Sequence, residues 1–220
     1  MINNIRTCIH WKVFFALLGS SIVGTLAVLP YVFMPEVVKK PPVSLWIVVS
    51  AQVVQSALLC AFCIFIGLLL GRKIGMGAPL LEDYFGGVPI AADRVRRLLE
   101  IGAATGAIVG VALVLIDVLF FARVVLELTA TFKPTWWKGL LASFYGGICE
   151  EILLRLFLMT TLSWLFLKIR AAAGSIWTAN VVTSIVFGLG HLPLTASLIA
   201  LTPAVGANQR GQRIKGVRTH

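Results

Sequence analysis

The sequence predicts an all-α protein, a polytopic bundle of transmembrane helices with about five full spans and a partial sixth. Of its 220 residues, 59% are hydrophobic and only 13% are charged, whereas a soluble domain has about 45–50% apolar and about 25% charged residues. The mean hydropathy is +0.95, and several apolar runs exceed the roughly 20 residues that a helix needs to cross the hydrocarbon core. We therefore expect an integral membrane protein that has lipid as its main partner.

The predicted spans follow one another with mostly short connections. Prolines separate the first two spans, a polar loop at 71–100 precedes the third, and the last apolar run is too short to cross alone. We predict one membrane-embedded domain at 1–207 and a polar, basic tail at 208–220. The five spans are about Trp11–Met34, Val43–Leu70, Ile101–Ala122, Gly139–Leu167 and Ser175–Leu192, and the partial sixth extends from Leu194 to about Ala207.

The net charge of +10 indicates topology rather than nucleic-acid binding. Most of the lysines and arginines lie in the N-terminal segment, in the loop at 71–100, at Lys168 and Arg170, and in the tail. Cytoplasmic segments of membrane proteins are enriched in these residues. The pattern therefore predicts that the N-terminus is inside, and it does not predict a nucleic-acid partner.

Three charged residues inside the fourth span are the strongest functional signal. Charge at membrane depth costs several kcal/mol, roughly, and is typical of functional sites. Glu151 and Arg155 are four residues apart, so they share one face of a helix, while Glu150 points about 100° away. Adjacent acids repel when both are ionised. We predict that Arg155 holds Glu151 and that Glu150 can accept a proton.

A histidine at the end of the fifth span supplies a second candidate group. His191 follows Phe187, and Gly188 and Gly190 leave room for another helix to approach. Taken alone, a histidine there would most simply pack against a backbone carbonyl. Together with the glutamates of the preceding helix, it could activate a water molecule, either directly or through a metal ion.

The two patterns, Glu150-Glu151-x-x-x-Arg155 and Phe187-x-x-x-His191, resemble the CPBP family of intramembrane proteases across about 136–193. This family comprises type II CAAX prenyl endopeptidases and bacteriocin-processing proteins, also called Abi proteins. The resemblance implies that Glu150 is the general base, that His191 is its partner, and that Glu151 and Arg155 shape the site. It implies no cofactor, with zinc as the less favoured alternative.

The resemblance also implies a membrane-proximal peptide or protein as the substrate and a bacterial cytoplasmic membrane as the location. A prenylated C-terminus, a bacteriocin leader and an anchored signalling protein are all open as substrates. The family has a later motif, a histidine followed four residues on by asparagine or a similar residue, which stabilises the oxyanion. No such motif follows His191, and losing an oxyanion donor costs about 10²–10³ in rate. We therefore expect a truncated chain with little proteolysis from residues 1–220.

Two other functions compete with proteolysis. A non-catalytic family member could act by binding, in bacteriocin immunity or on another membrane partner, and the missing motif favours this alternative. A transporter or proton relay would also hold buried acids, arginine and histidine. Neither inverted repeats nor broken helices in matching halves, which would support transport, are found in the sequence.

Overall fold

The computed structural model describes residues 10–33, 44–120, 135–169 and 174–191. These residues are largely helical and include no strand, which confirms the predicted all-α membrane bundle. The fourth predicted span consists of an α-helix, two π-helical segments and a further α-helix. In chain order the elements are α1 (Trp11–Val32), α2 (Leu45–Ile74), α3 (Pro79–Phe85), α4 (Ala92–Phe120), α5 (Trp136–Tyr145), the π-helical segments Gly146–Glu150 and Ile152–Met159, α6 (Thr160–Ile169) and α7 (174–191).

Within the described ranges, four helical segments are long and apolar enough to cross a membrane. They correspond to the first four predicted spans. Helix α7 forms where the fifth span was predicted, but it is not one of the four. The partial sixth span and the tail lie outside the described residues. The four segments are Trp11–Val32, Leu45–Ile74, Ala92–Phe120 and Trp136–Ile169.

The chain divides into two compact units. The first comprises Met1–Pro89 with Pro134–Phe187, and the second comprises Ile90–Lys133 with Gly188–His220. The first unit therefore contains α1 to α3, the helix with the two glutamates, and most of α7. The second contains α4, in which no residue is buried. A single domain at 1–207 stays a prediction.

The core of the first unit lies between α1, α2 and the second π-helical segment. Cys60 and Cys63, which have CxxC spacing, are buried there as free thiols and serve as packing residues. Contacts between α1 and α5, and between α2 and both the second π-helical segment and α6, complete the packing. The core consists of Val13, Phe14, Cys60, Cys63, Ile64, Leu68 and Ile152.

A buried polar cluster joins α1 and α2 to the residue that precedes Glu150. The hydroxyl of Thr25 donates to the carbonyl of Ser21 at 2.8 Å and lies 2.7 Å from the hydroxyl of Ser56. The Cys149 thiol donates to the same carbonyl at 3.3 Å. Because the single Thr25 proton is used on Ser21, the Ser56 hydroxyl is the donor to Thr25. The cluster therefore fixes the start of the acidic motif against two other helices.

Replacing Thr25 with valine is expected to lower the free energy of unfolding by about 1–3 kcal/mol, because the buried Ser56 hydroxyl loses its acceptor. The measurement is reversible unfolding of the purified protein in mixed micelles. Ser143→Ala is the matched control, since it removes an exposed hydroxyl that bonds only to the Gly139 carbonyl of its own helix. Equal effects of the two substitutions would show that the cluster does not stabilise the bundle.

Basic residues mark one end of the first unit. The amines of Lys73, at the end of α2, and Lys168, at the end of α6, both lie over the Trp164 ring, at 5.8 and 4.2 Å from its centroid. The two helices therefore end on the same side. Tryptophan and lysine are typical of the membrane interface. Which side of the membrane this is, and the predicted orientation with the N-terminus inside, stay predictions.

Candidate active site

A cavity of about 740 Å³ lies within the first unit. Its wall combines α1, the turn after α2, both π-helical segments, the start of α6 and the first half of α7. The turn is possible because Gly75 has a positive φ of 72° and the Met76 amide donates to the Gly71 carbonyl at 2.8 Å. The lining residues are Leu17, Ser20, Met76, Gly77, Ala78, Gly147, Ile148, Glu151, Ile152, Arg155, Leu156, Met159, Thr160, Ile176, Trp177 and Asn180.

The acidic motif lies on two π-helical segments with Glu151 between them, so the 3.6-residue α-helical period that the sequence prediction assumed for Glu150 does not hold here. A π-helix bonds each amide to the carbonyl five residues earlier, and such segments are frequent at functional sites. The Thr160 hydroxyl donates to the Arg155 carbonyl, five residues earlier, at 3.0 Å. This hydrogen bond joins the first residue of α6 to Arg155 in the second π-helical segment.

Glu151 and Arg155 pair as the sequence predicted. The Arg155 Nε lies 3.1 Å from the Glu151 Oε2, and both residues line the cavity. The arginine side chain is 72% exposed and the glutamate 49%. The ion pair therefore places a guanidinium and a carboxylate at the wall of the cavity, where a ligand could reach them.

Glu150 occupies a different environment from its neighbour. It is half-buried, and its Oε2 lies 3.3 Å from the point where a Cβ on Gly146 would be. Its carboxylate therefore extends back over Gly146, next to the cavity-lining Gly147. Glu150 is not part of the cavity wall itself. The two glutamates thus have separate surroundings, as the sequence predicted.

His191 is the last described residue of α7, and it is exposed. It belongs to the second unit, whereas Glu150 belongs to the first, so their convergence stays a prediction. Among the described residues, no group of three or more histidine, cysteine, aspartate or glutamate side chains could hold a metal ion. The metal-free mechanism likewise stays a prediction.

Among the cavity residues, only Glu151 and Arg155 were predicted from the sequence, and Trp177 and Asn180 on α7 are two of those that were not. Trp177 and Asn180 lie three residues apart on one face of α7 and both line the cavity. A signal for Asn180 was present, because an amide inside an apolar span is unusual. For Trp177 the sequence offers no signal beyond a typical interfacial tryptophan.

Comparison with known proteins supports the motif assignment. A family model described as Type II CAAX prenyl endopeptidase Rce1-like matches residues 132–207, about a third of the chain. The match includes both glutamates, the arginine and the histidine. It confirms the predicted resemblance to the CPBP proteases. No curated protein and no solved structure matches the chain.

Proposed function

We propose that this chain is an intramembrane endopeptidase that uses a water molecule activated by Glu150. Its residues 132–207 match the Rce1-like family of type II CAAX prenyl endopeptidases. The supporting observation is the cavity in the membrane bundle. The wall of this cavity contains the Glu151–Arg155 ion pair, and Glu150 is the residue that immediately precedes Glu151 in the chain. Family membership supports a membrane peptidase, and the cavity supplies a place for a peptide.

The reaction divides the charged residues into separate roles. Glu150 takes a proton from water, and the water oxygen attacks the carbonyl carbon of the scissile bond. The proton then passes to the leaving amine as the C–N bond breaks. Glu151 is committed to Arg155 at 3.1 Å and therefore acts as a positioning residue. His191 is the proposed partner of Glu150.

The position of the cavity suggests where the substrate is cleaved. The cavity wall includes Met76, Gly77 and Ala78, which lie within six residues of Arg72 and Lys73 at the end of α2. With the N-terminus inside, this end of the bundle faces the cytoplasm. We therefore expect cleavage near the cytoplasmic surface. The apolar part of the wall suits a hydrophobic or lipid-modified substrate segment.

The test is proteolysis by the purified protein in liposomes, with mass spectrometry of the products. Substrates are matched peptides with and without a prenyl group, together with leader peptides. We expect cleavage of at least one class by the wild type and none by Glu150→Gln. An absence of Glu150-dependent cleavage across the panel would contradict the proposal. Loss of activity on chelation, with recovery on adding zinc, would contradict the metal-free mechanism.

A further inference from the structure

We propose that Asn180 contacts the substrate and donates a hydrogen bond from its side-chain amide to the carbonyl oxygen of the scissile peptide bond. This assignment rests on the proposed function. It adds a neutral donor on α7 to the charged groups on the π-helical segments. No pattern in the sequence assigned a role to this residue.

The location of Asn180 is the main evidence. It lines the same cavity as Glu151 and Arg155 but lies on a different helix, so it approaches a bound ligand from another wall. It is half-buried. Its backbone carbonyl already accepts the Ser184 hydroxyl at 2.9 Å, whereas no hydrogen bond from its side-chain amide is seen among the described residues.

The chemistry favours an amide in this position. Attack of water turns the carbonyl oxygen into an oxyanion, and preorganised donors aimed at that oxygen are usually the largest single source of stabilisation. Arg155 also lines the cavity, and its Nε is engaged by Glu151, so the amide would act as a second donor beside the remaining guanidinium N–H groups. An asparagine NH₂ offers two donors, and it adds no charge that would compete with the ion pair.

A donor on α7 changes the expectation about activity. The sequence alone predicted little proteolysis. With Asn180 as a donor inside the cavity, a residue that the structure describes stabilises the oxyanion. We therefore expect measurable turnover from the protein, and we expect that turnover to depend on Asn180.

The first test measures kcat and KM for Asn180→Ala and for the near-isosteric Asn180→Asp in liposomes. Both substitutions remove the donors, so kcat should fall by about 10²–10³-fold with KM nearly unchanged. Thr178→Val is the matched control, because its hydroxyl bonds only to the Gly174 carbonyl and the residue is not part of the cavity wall. An unchanged kcat in both Asn180 variants would overturn the proposal.

The second test separates this proposal from a merely structural role. Binding of a substrate peptide and of its phosphinate analogue, which mimics the tetrahedral oxyanion, is measured in a Glu150→Gln background that does not cleave. Adding Asn180→Ala should weaken phosphinate binding by the same factor as the fall in kcat and leave peptide binding unchanged. Equal weakening of both ligands, or of neither, would overturn the donor role.

The two proposals fail in different ways. Glu150-dependent cleavage that is indifferent to Asn180 would overturn only the role of the amide. An absence of Glu150-dependent cleavage, together with no preference for the phosphinate over the peptide, would overturn the endopeptidase function and the amide's role with it.

Discussion

Glu150→Gln is expected to lower kcat by about 10²–10⁴-fold, the contribution of a positioned general base, while the protein remains folded. Glutamine keeps the size of the side chain but cannot take a proton from water. Glu150 is half-buried and follows Cys149, whose thiol donates to the Ser21 carbonyl in the buried polar cluster. This hydrogen bond holds the backbone next to Glu150 without involving its carboxylate. Single-turnover cleavage in liposomes measures the effect, and thermal unfolding checks the fold.

The adjacent carboxylate provides the matched control. Glu151→Gln should reduce activity less, because Glu151 acts through Arg155, which it contacts at 3.1 Å, rather than on the water. The cavity lining alone would predict the opposite order of effects, since Glu151 lines the cavity and Glu150 does not. A greater loss from Glu151→Gln than from Glu150→Gln would reverse the two roles and contradict the assignment.

Gly67→Ala is expected to prevent normal packing of the first unit. A Cβ at this position would lie 2.8 Å from both the carbonyl carbon and the Cγ of Leu156, and backbone at that distance has to move. Forcing extra volume into a packed interior costs about 1–3 kcal/mol, occasionally more. Because Leu156 follows Arg155, the displacement should also disturb the ion pair in the cavity wall.

The control for this substitution is Gly19→Ala in α1. A Cβ there meets nothing within 4 Å, and replacing glycine with alanine inside a helix adds about 1 kcal/mol of helix propensity. Gly19→Ala should therefore be neutral or stabilising. Thermal unfolding in detergent and recovery of monodisperse protein measure both variants. If Gly67→Ala is as stable as Gly19→Ala, the close approach of α2 to the second π-helical segment is not present in the protein.

The helical spans and the ion pair could be predicted because they depend on local spacing. Apolar runs determine where helices cross a membrane, and residues four apart share a helix face, which is how Glu151 and Arg155 were paired. The π-helix could not be predicted, because helical periodicity assumes α geometry and an i to i+5 bond leaves no distinct pattern in sequence.

The cavity was beyond sequence reasoning for a different reason. Its wall brings together the turn at Met76, the π-helical segments and Asn180 on α7, which are far apart in the chain. The turn and the π-helical segments meet where α2 approaches the second π-helical segment at Gly67 and the chain turns at Gly75. Spacing along the chain carries no information about contacts of this kind.

The central claim is that a water molecule activated by a glutamate cleaves a peptide bond in this protein. Single-turnover cleavage in water labelled with oxygen-18, with enzyme in excess over peptide, tests it most directly. The account predicts one labelled oxygen in the new carboxyl group of the N-terminal product, formed in the first turnover, with no label in Glu150. An unlabelled first-turnover product, with label entering the enzyme carboxylate instead, would show covalent catalysis and contradict the account.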